Sequence, residues 1–485
     1  NCLSITSTDQ NIPIPNKIYI VPAIMVERNT TRYRANHFAE IIQELTQVEI
    51  IDYRKLKKNF FQELKTIRNV VVVIQRLAIH DRESESFMNQ LRQTPALIVY
   101  DIDDQIFDSL ELEDWRVRGL HHQPKQYFHC MKYADQFLVS TKELRKKVEK
   151  LFNRPVHVLQ NLLNQDLVNL SLSAFNQKKR LKREKFIIGY ASGSATHDFD
   201  LDVALNALDR FLSEHPNAEF HCIGYVNLPK SFAQKYSNKI VLYKKVHWKE
   251  LPTILAEFTI QIIPLSNCKF NEYKSQIRYL ESSAVGVPVL ASNIGEPSQT
   301  IVDQYTGYLC ENTDNSWYEG LCWYYNYPDK RNYIAQESKA SVLNYWTTKS
   351  PFQLYKIKNI IQDLNLGLMR DKISIILVAY NPLQDIQAIC ESIINNTNVP
   401  FELLIWINSS DPSVKNHIKN LNLKNSYIVD FGVNVGKSKA ANHLFKIAVE
   451  RFVVGFDDDY IVPQYWAEKM IVAAKSVPKL GWLST

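Results

Sequence analysis

Short β-branched runs alternate with longer stretches of helix-period pattern along almost the whole chain. That alternation predicts parallel sheets covered by helices. In the first third, strands are expected at "KIYIVPAI", "VEIIDY", "NVVVVIQR", "ALIVYDID", "QFLVST" and "PVHVLQN". Between them lie helical patterns such as "YRANHFAEIIQEL" and "STKELRKKVEKLF", the latter with Ser140 or Thr141 as N-cap. A second series follows: "KFIIGYAS", "AEFHCIGY", "KIVLYKK", "FTIQIIPL", "VPVLAS" and "TGYLC". A third opens at Asp371 with "KISIILVAYN", "FELLIWIN", "NSYIVDFG" and "RFVVGFDDD". The expected fold class is α/β, with two doubly wound Rossmann-like domains over 1–168 and 169–368 and a partial α/β domain over 371–485. The basic run 176–185, "NQKKRLKREK", reads as a solvated linker or as a contact to anionic lipid or glycan.

Composition narrows the class. With 485 residues and 45% hydrophobic content the chain can supply cores for several domains. A net charge of +6 with 22% charged residues is too mild for a nucleic-acid binder, yet compatible with anionic substrates or a membrane surface. Cys2, Cys130, Cys222, Cys268, Cys310, Cys322 and Cys390 are scattered and never in C-x-x-C spacing, which argues against a disulfide framework and a zinc site. A reducing cytoplasmic location is expected, with association at the inner face of the cytoplasmic membrane compatible with it. The start "NCLSITSTDQ" has neither an initiator Met nor a signal pattern, so a longer parent protein is expected.

The second series carries the most chemistry. In "FNEYKSQIRYLESSAVGVPVLASNIG", Phe270–Lys274 is expected as a loop and Ser275–Ala284 as a helix stopped by Gly286 and Pro288. A helix N-terminus at the carboxyl end of a parallel sheet attracts anions, and Lys274 adds a full charge, with Arg278 four residues on. Glu281, two turns along, could accept hydrogen bonds from a ribose diol, although both it and Lys274 could be ordinary surface charges. The loop "GYASGSATHD" follows the first strand of this domain. Its Ser192, Gly193 and Ser194 would let backbone N–H groups approach a diphosphate, while His197 would donate to a phosphate or cap the next helix.

Together, "GYASGSATHDFD", "VHWKELPTILAEFTIQIIPL" and "FNEYKSQIRYLESSAVGVPVLAS" resemble the donor-binding half of retaining glycosyltransferases of the two-domain GT-B fold, bacterial polysaccharide enzymes and rhamnosyltransferases among them. The resemblance spans roughly 17–365. It implies that Glu281 holds the donor ribose, that Lys274 binds the diphosphate, and that Ser275 and Arg278 line the donor site. The family's earlier glutamate is replaced by Tyr273, with Asn271 and Glu272 adjacent as candidate sugar contacts. No metal is expected for this module, because cationic side chains and backbone N–H groups would neutralise the diphosphate.

On the first domain, "VYDIDDQIFD" places Asp101, Asp103 and Asp104 at a strand end, where carboxylates could bind sugar hydroxyls or cap a helix. The resemblance extends to this stretch and makes Asp103 and Asp104 candidates on the acceptor side. Arg28, Arg32 and Arg34 flank the first strand-to-helix turn, and Arg76 and His80 follow the third strand.

"KISIILVAYN", "NVGKSKAANHLF" and "VVGFDDD" occur in the order seen in inverting GT-A glycosyltransferases, which they resemble over 371–485. Adjacent carboxylates repel one another and need a cation or a wet turn. The resemblance implies nucleotide contacts at Asn381, Asp411, Lys437 and Asp457, with Mg or Mn held by Asp457 and Asp459. Nothing acidic stands at Trp406 or Ile407, where such enzymes contact the base. Since acceptor elements lie beyond the triplet in that family, this module is expected to be truncated.

The expected function is sugar transfer from a nucleotide-sugar donor to an oligosaccharide or lipid-linked acceptor in bacterial surface polysaccharide assembly. The alternatives are a non-catalytic glycan-binding scaffold and a sugar-nucleotide epimerase of the same fold.

Overall fold

The computed structural model describes residues 14–23, 29–67, 69–112, 114–152, 154–178, 185–193, 199–369, 373–380, 383–397, 399, 401–421, 426–430, 433–448, 452–456, 460–463, 466–467 and 470–471. Every expected strand forms. The first series gives β1 (Lys17–Pro22), β2 (Gln47–Ile50), β3 (Val70–Gln75), β4 (Leu97–Ile102), β5 (Gln136–Val139) and β6 (Val156–Val158). The second gives β7 (Phe186–Ser192), β8 (Ala218–Gly224), β9 (Ile240–Tyr243), β10 (Ile260–Ile263), β11 (Val289–Ser292) and β12 (Tyr308–Cys310). The third gives β13 (Ile373–Ala379), β14 (Phe401–Ile407), β15 (Ser426–Asp430) and β16 (Phe452–Phe456).

These pair in parallel as three sheets, in the orders β2-β1-β3-β4-β5-β6, β12-β11-β10-β7-β8-β9 and β15-β14-β13-β16. The central strands β3 and β4, "VVVVIQ" and "LIVYDI", are buried at every position, as helices on both faces require. Edge strand β2, "QVEI", is never fully buried. Strand order reverses between β1 and β3, between β7 and β10, and between β13 and β16. The crevice outside the carboxyl ends at such a reversal is where open α/β sheets receive ligands.

Two helices cross between the first two sheets. Leu167 and Val168 of the Gln165–Lys178 helix pack with Ile263, Tyr279 and Leu280 of the second domain. The expected boundary at 168/169 therefore falls inside a helix that belongs to the second sheet. Conversely, Ile357, Ile361 and Leu364 of the Pro351–Met369 helix pack with Ile18, Val71 and Val99, so the chain returns to the first domain before entering the third. Among the described residues, no helix is long and apolar enough to cross a membrane.

The first domain is locked by a buried ion pair. Arg34 Nε donates to Asp101 Oδ1 at 3.0 Å and Nη2 to Oδ2 at 2.5 Å, while Nη1 reaches Asn161 Oδ1 at 3.1 Å and the Leu159 carbonyl. These side chains are 1% and 0% exposed, and burial raises the Asp101 pKa against the pull of Arg34. Removing one partner of such a pair strands a charge, whereas replacing both with apolar groups is often tolerated. Arg34→Met is expected to cost about 3–5 kcal/mol of first-domain stability. Arg34→Met/Asp101→Leu should recover most of it, as read by thermal and urea unfolding.

Candidate active site

The first sheet brings three segments to its carboxyl edge at the β1/β3 reversal. After β1, the chain forms a continuous helical stretch from Asn29 to Ile42 with a π-helical segment, Arg32–Asn36, at its middle. After β3, Arg76 adopts φ 53°, a left-handed conformation that costs a non-glycine residue about 1 kcal/mol or more. Its Nη1 lies 3.1 Å from Asp103 Oδ1 and 3.7 Å from Asp104 Oδ2, the two carboxylates that follow β4. Ser140 Oγ fixes the turn by donating to the Asp103 carbonyl at 2.8 Å.

The facing segment, after β10, belongs to the second domain. Where a loop was expected at 270–274, the chain makes a short helix, Lys269–Glu272, and the following helix begins at Ile277 rather than Ser275. The cause is two apolar anchors: Phe270 and Tyr273 are buried in the core of the first domain. Between them Asn271 turns back into its own domain, donating through Nδ2 to Asp200 Oδ1 at 2.6 Å and to the Ser266 carbonyl at 2.9 Å. Asp200 is fully buried and meets Arg116 of the first domain at 3.6 Å; that guanidinium lies over the Phe270 ring. Gly295, at φ +67°, closes the turn from behind: a Cβ there would sit 2.7 Å from the Asn271 carbonyl oxygen.

This scaffold presents two charged side chains to the first domain. Lys274 Nζ bonds Asp104 Oδ1 at 2.9 Å and lies 4.1 Å from the Phe270 ring centroid. Burial lowers the Lys274 pKa from its ordinary value, against the pull of Asp104 and with the help of Arg278 nearby. Glu281 Oε1 accepts from the Tyr33 hydroxyl at 2.7 Å and from Arg32 Nη2 at 3.3 Å. Arg32 Nε and Nη1 and Arg278 Nη1 are buried without a hydrogen-bond partner among the described residues. A cleft with a largely buried lysine, guanidinium nitrogens unpartnered among the described residues and a carboxylate that accepts a hydroxyl hydrogen bond can hold a compound that is anionic at one end and polyhydroxylated at the other.

Residues 374–480 match the family model described as "Glycosyl transferase family 2", and residues 185–326 the model described as "Glycosyl transferases group 1". The chain is a glycosyltransferase with two modules. Solved structures similar to it include a glycosyltransferase from Rickettsia africae, at 16% identity over 72% of this chain and 98% of that one, with a TM-score of 0.50. Another is a sucrose-phosphate synthase from Thermosynechococcus elongatus, at 11% identity over 72% and 99%, with a TM-score of 0.52. At these identities the likeness is one of fold. No curated protein matches the sequence. The first two domains form a GT-B module, fused to a GT-A-like domain.

Within the GT-B module the expected site residues separate. Lys274 with Asp104, and Glu281 with Tyr33 and Arg32, meet across the junction of the domains, whereas Asp103 pairs with Arg76 within the first domain at 3.1 Å; Ser275 Oγ accepts from Asn161 Nδ2 of the first domain at 3.0 Å. Ser192 is buried at the end of β7, its carbonyl accepting from Tyr225 N at 3.0 Å, and Gly193 follows it exposed. Asn271 is an internal clamp, and Glu272 points outward to pair with Lys269 at 2.8 Å. Arg28, Ser194 and His197 lie outside the described residues. His80 sits aside from these contacts, paired with Asp81 at 3.1 Å. Tyr33, Arg116, Asp200 and Trp248, whose ring lies 4.9 Å from the Arg32 guanidinium, were not singled out in the sequence, although Asp200 and Trp248 fall within the stretches that carry the resemblance.

In the GT-A-like domain, Asp411 caps the Pro412–Asn420 helix by accepting from Ser413 N at 2.8 Å, and Lys437 opens the Lys437–Ile447 helix. Asn408 is buried after β14, where its N–H donates to the Ala379 carbonyl and its Oδ1 accepts from Val435 N, both at 2.9 Å. Asn381, Asp457 and Asp459 lie outside the described residues, although β16 ends at Phe456, directly before the triplet and paired with β13.

Because burial lowers the Lys274 pKa, its charge should be lost at a pH below the ordinary 10.5 as pH rises. Binding of inorganic pyrophosphate is therefore expected to weaken through that lowered value, and Lys274→Arg to move the loss to higher pH. Titration calorimetry across the alkaline range checks both.

Proposed function

We propose that the GT-B module transfers a sugar, with retention at the anomeric carbon, from a nucleotide-sugar donor to an oligosaccharide or lipid-linked acceptor of a bacterial surface polysaccharide. The observation that carries this reading is the pair of contacts across the domains, Lys274 to Asp104 and Glu281 to Tyr33 and Arg32, outside the carboxyl ends of two open sheets. In this reading the diphosphate exchanges with Asp104 for Lys274 and is met by Arg278 and by backbone N–H groups around Ser192 and Gly193. Glu281 takes the ribose. Asp103 and Asp104 receive the acceptor hydroxyls on the first-domain side.

The bond between the anomeric carbon and the phosphate oxygen breaks with its electron pair going to the phosphate. The acceptor oxygen attacks on the same face, and its proton passes to the departing phosphate oxygen. The protein's share is positioning and charge stabilisation in a site sheltered from water. A lipid-linked acceptor would bring the enzyme to the inner face of the cytoplasmic membrane. The GT-A-like domain would add a second linkage. Its Asp457 and Asp459 would hold Mg or Mn, which favours one or two carboxylates together with substrate phosphates.

Nucleotide release, measured with a panel of UDP-, GDP- and dTDP-sugars and a membrane glycan extract, tests the proposal. Lys274→Ala is expected to lower kcat/KM for the donor by about 10²–10³-fold. Release from no donor, with Lys274→Ala and Glu281→Ala both leaving nucleotide binding unchanged, would point to a glycan-binding scaffold instead. With the second module silenced by Asp457→Ala/Asp459→Ala, release is expected to survive EDTA. Complete loss restored by Mg would overturn the metal-free reading.

A further inference from the structure

Glu281 comes from the second domain, but among the described residues both of its side-chain hydrogen bonds come from the first. The Tyr33 hydroxyl and Arg32 Nη2 converge on Oε1, and Oε2 accepts no hydrogen bond from the described residues. Tyr33 is 3% exposed, and burial together with the Glu281 carboxylate raises its pKa well above the ordinary value, so the hydroxyl stays protonated and donates. Its ring is fixed by an edge contact to His37, at 4.7 Å between centroids. His37 is itself anchored by Nδ1 at 2.8 Å from the Leu162 carbonyl. The donor is thus set by a packed ring on the π-helical segment, a departure from regular helix that often accompanies function.

Arg32 is the competing partner. It is 3% exposed, its guanidinium lies 4.8 Å from the Tyr33 ring and 4.9 Å from the Trp248 ring, and two of its nitrogens, Nε and Nη1, have no hydrogen-bond partner among the described residues. A carboxylate beside a guanidinium with spare donors is drawn to a two-pronged pairing. Tyr33 opposes that by holding Oε1.

We propose that Tyr33 is a positioning residue, presented from the opposite domain, that holds Glu281 with Oε2 free for the hydroxyls of the donor ribose. This rests on the ribose role proposed for Glu281. It adds that ribose binding requires the two domains to be together: separating them would free Glu281 from its orientation. Without the Tyr33 hydroxyl, Glu281 rotates onto Arg32 and both oxygens are consumed.

The test uses the full chain, Tyr33→Phe and Glu281→Ala. Binding is measured by titration calorimetry for UDP, GDP and dTDP, for the 3′-deoxy counterpart of whichever binds, and for inorganic pyrophosphate, which has no ribose. The wild-type chain is expected to prefer the 3′-hydroxyl form by about 10-fold or more, the worth of one hydrogen bond to a charged group. In Tyr33→Phe the preference should fall to about 3-fold or less, approaching Glu281→Ala, with pyrophosphate affinity held within about twofold. Tyr33→Phe keeping the wild-type preference overturns the positioning role while leaving Glu281 as the ribose ligand. Loss of pyrophosphate binding in parallel also overturns it, in favour of a general packing role. Absence of any preference in the wild type, with Glu281→Ala silent, refutes the ribose role and the inference with it.

Discussion

Burial of Phe270 and Tyr273 in the core of the first domain is the contact on which the cleft depends. These residues belong to the second domain by sequence and by the strands that flank them, yet their rings fill space beneath the other sheet. Fully burying an aromatic side chain is worth roughly 1.5–3 kcal/mol, so two of them make a substantial hydrophobic tie between domains. What stops the segment from dissolving into its neighbour is the polar residue between the rings. Asn271 is pulled home by Asp200 and Ser266, and Asp200 in turn meets Arg116 from the first domain. The chain is thus pinned on both sides, and the next residue after Tyr273 is the lysine that meets Asp104.

Geometry of this kind explains why the cleft's charges can be buried. An unpaired ammonium so little exposed would be costly, and even a paired one recovers its desolvation only with good contacts. Lys274 has two, the Asp104 carboxylate and the face of Phe270. Arg76 holds the second oxygen side of Asp104 at 3.7 Å. A dianion arriving at Lys274 would leave Asp104 with a neighbouring cation rather than stranded. The strained φ of Arg76 fits this arrangement, since a regular extended residue after β3 would aim its side chain elsewhere.

The sheets were legible because their signal is local: "NVVVVIQR" and "ALIVYDID" are short β-branched runs within an alternating pattern, and their inner residues form β3 and β4, buried at every position. Lys274, Glu281 and the Asp103–Asp104 pair were legible as charges at strand ends and helix starts. Their partners were not. Tyr33 and Glu281 are 248 residues apart, and Lys274 and Asp104 are 170. No periodicity or spacing encodes a meeting set by two domains. The same limit misread 270–274 as loop and put the boundary inside the Gln165–Lys178 helix, since both depend on which sheet offers an apolar face. Glu272 and Asn271 were read alike, as candidate sugar contacts beside Tyr273. Only packing distinguishes the outward one from the clamp.

The two modules place their candidate chemistry at the same topological point, yet must solve opposite charge problems there. Beside the β7/β10 reversal the described charges include two cations of the second domain, Lys274 and Arg278, while Arg32 reaches Glu281 from the first. In sequence, β16 beside the β13/β16 reversal is followed by three aspartates, which would repel an anionic ligand unless a cation intervened. Asn408 fits the second case. It is 3% exposed and spends its N–H and its Oδ1 tying β14 to the Ala379 and Val435 backbone. A neutral side chain suits a buried place with one donor aimed at it, where an ionised aspartate would add to an acidic edge.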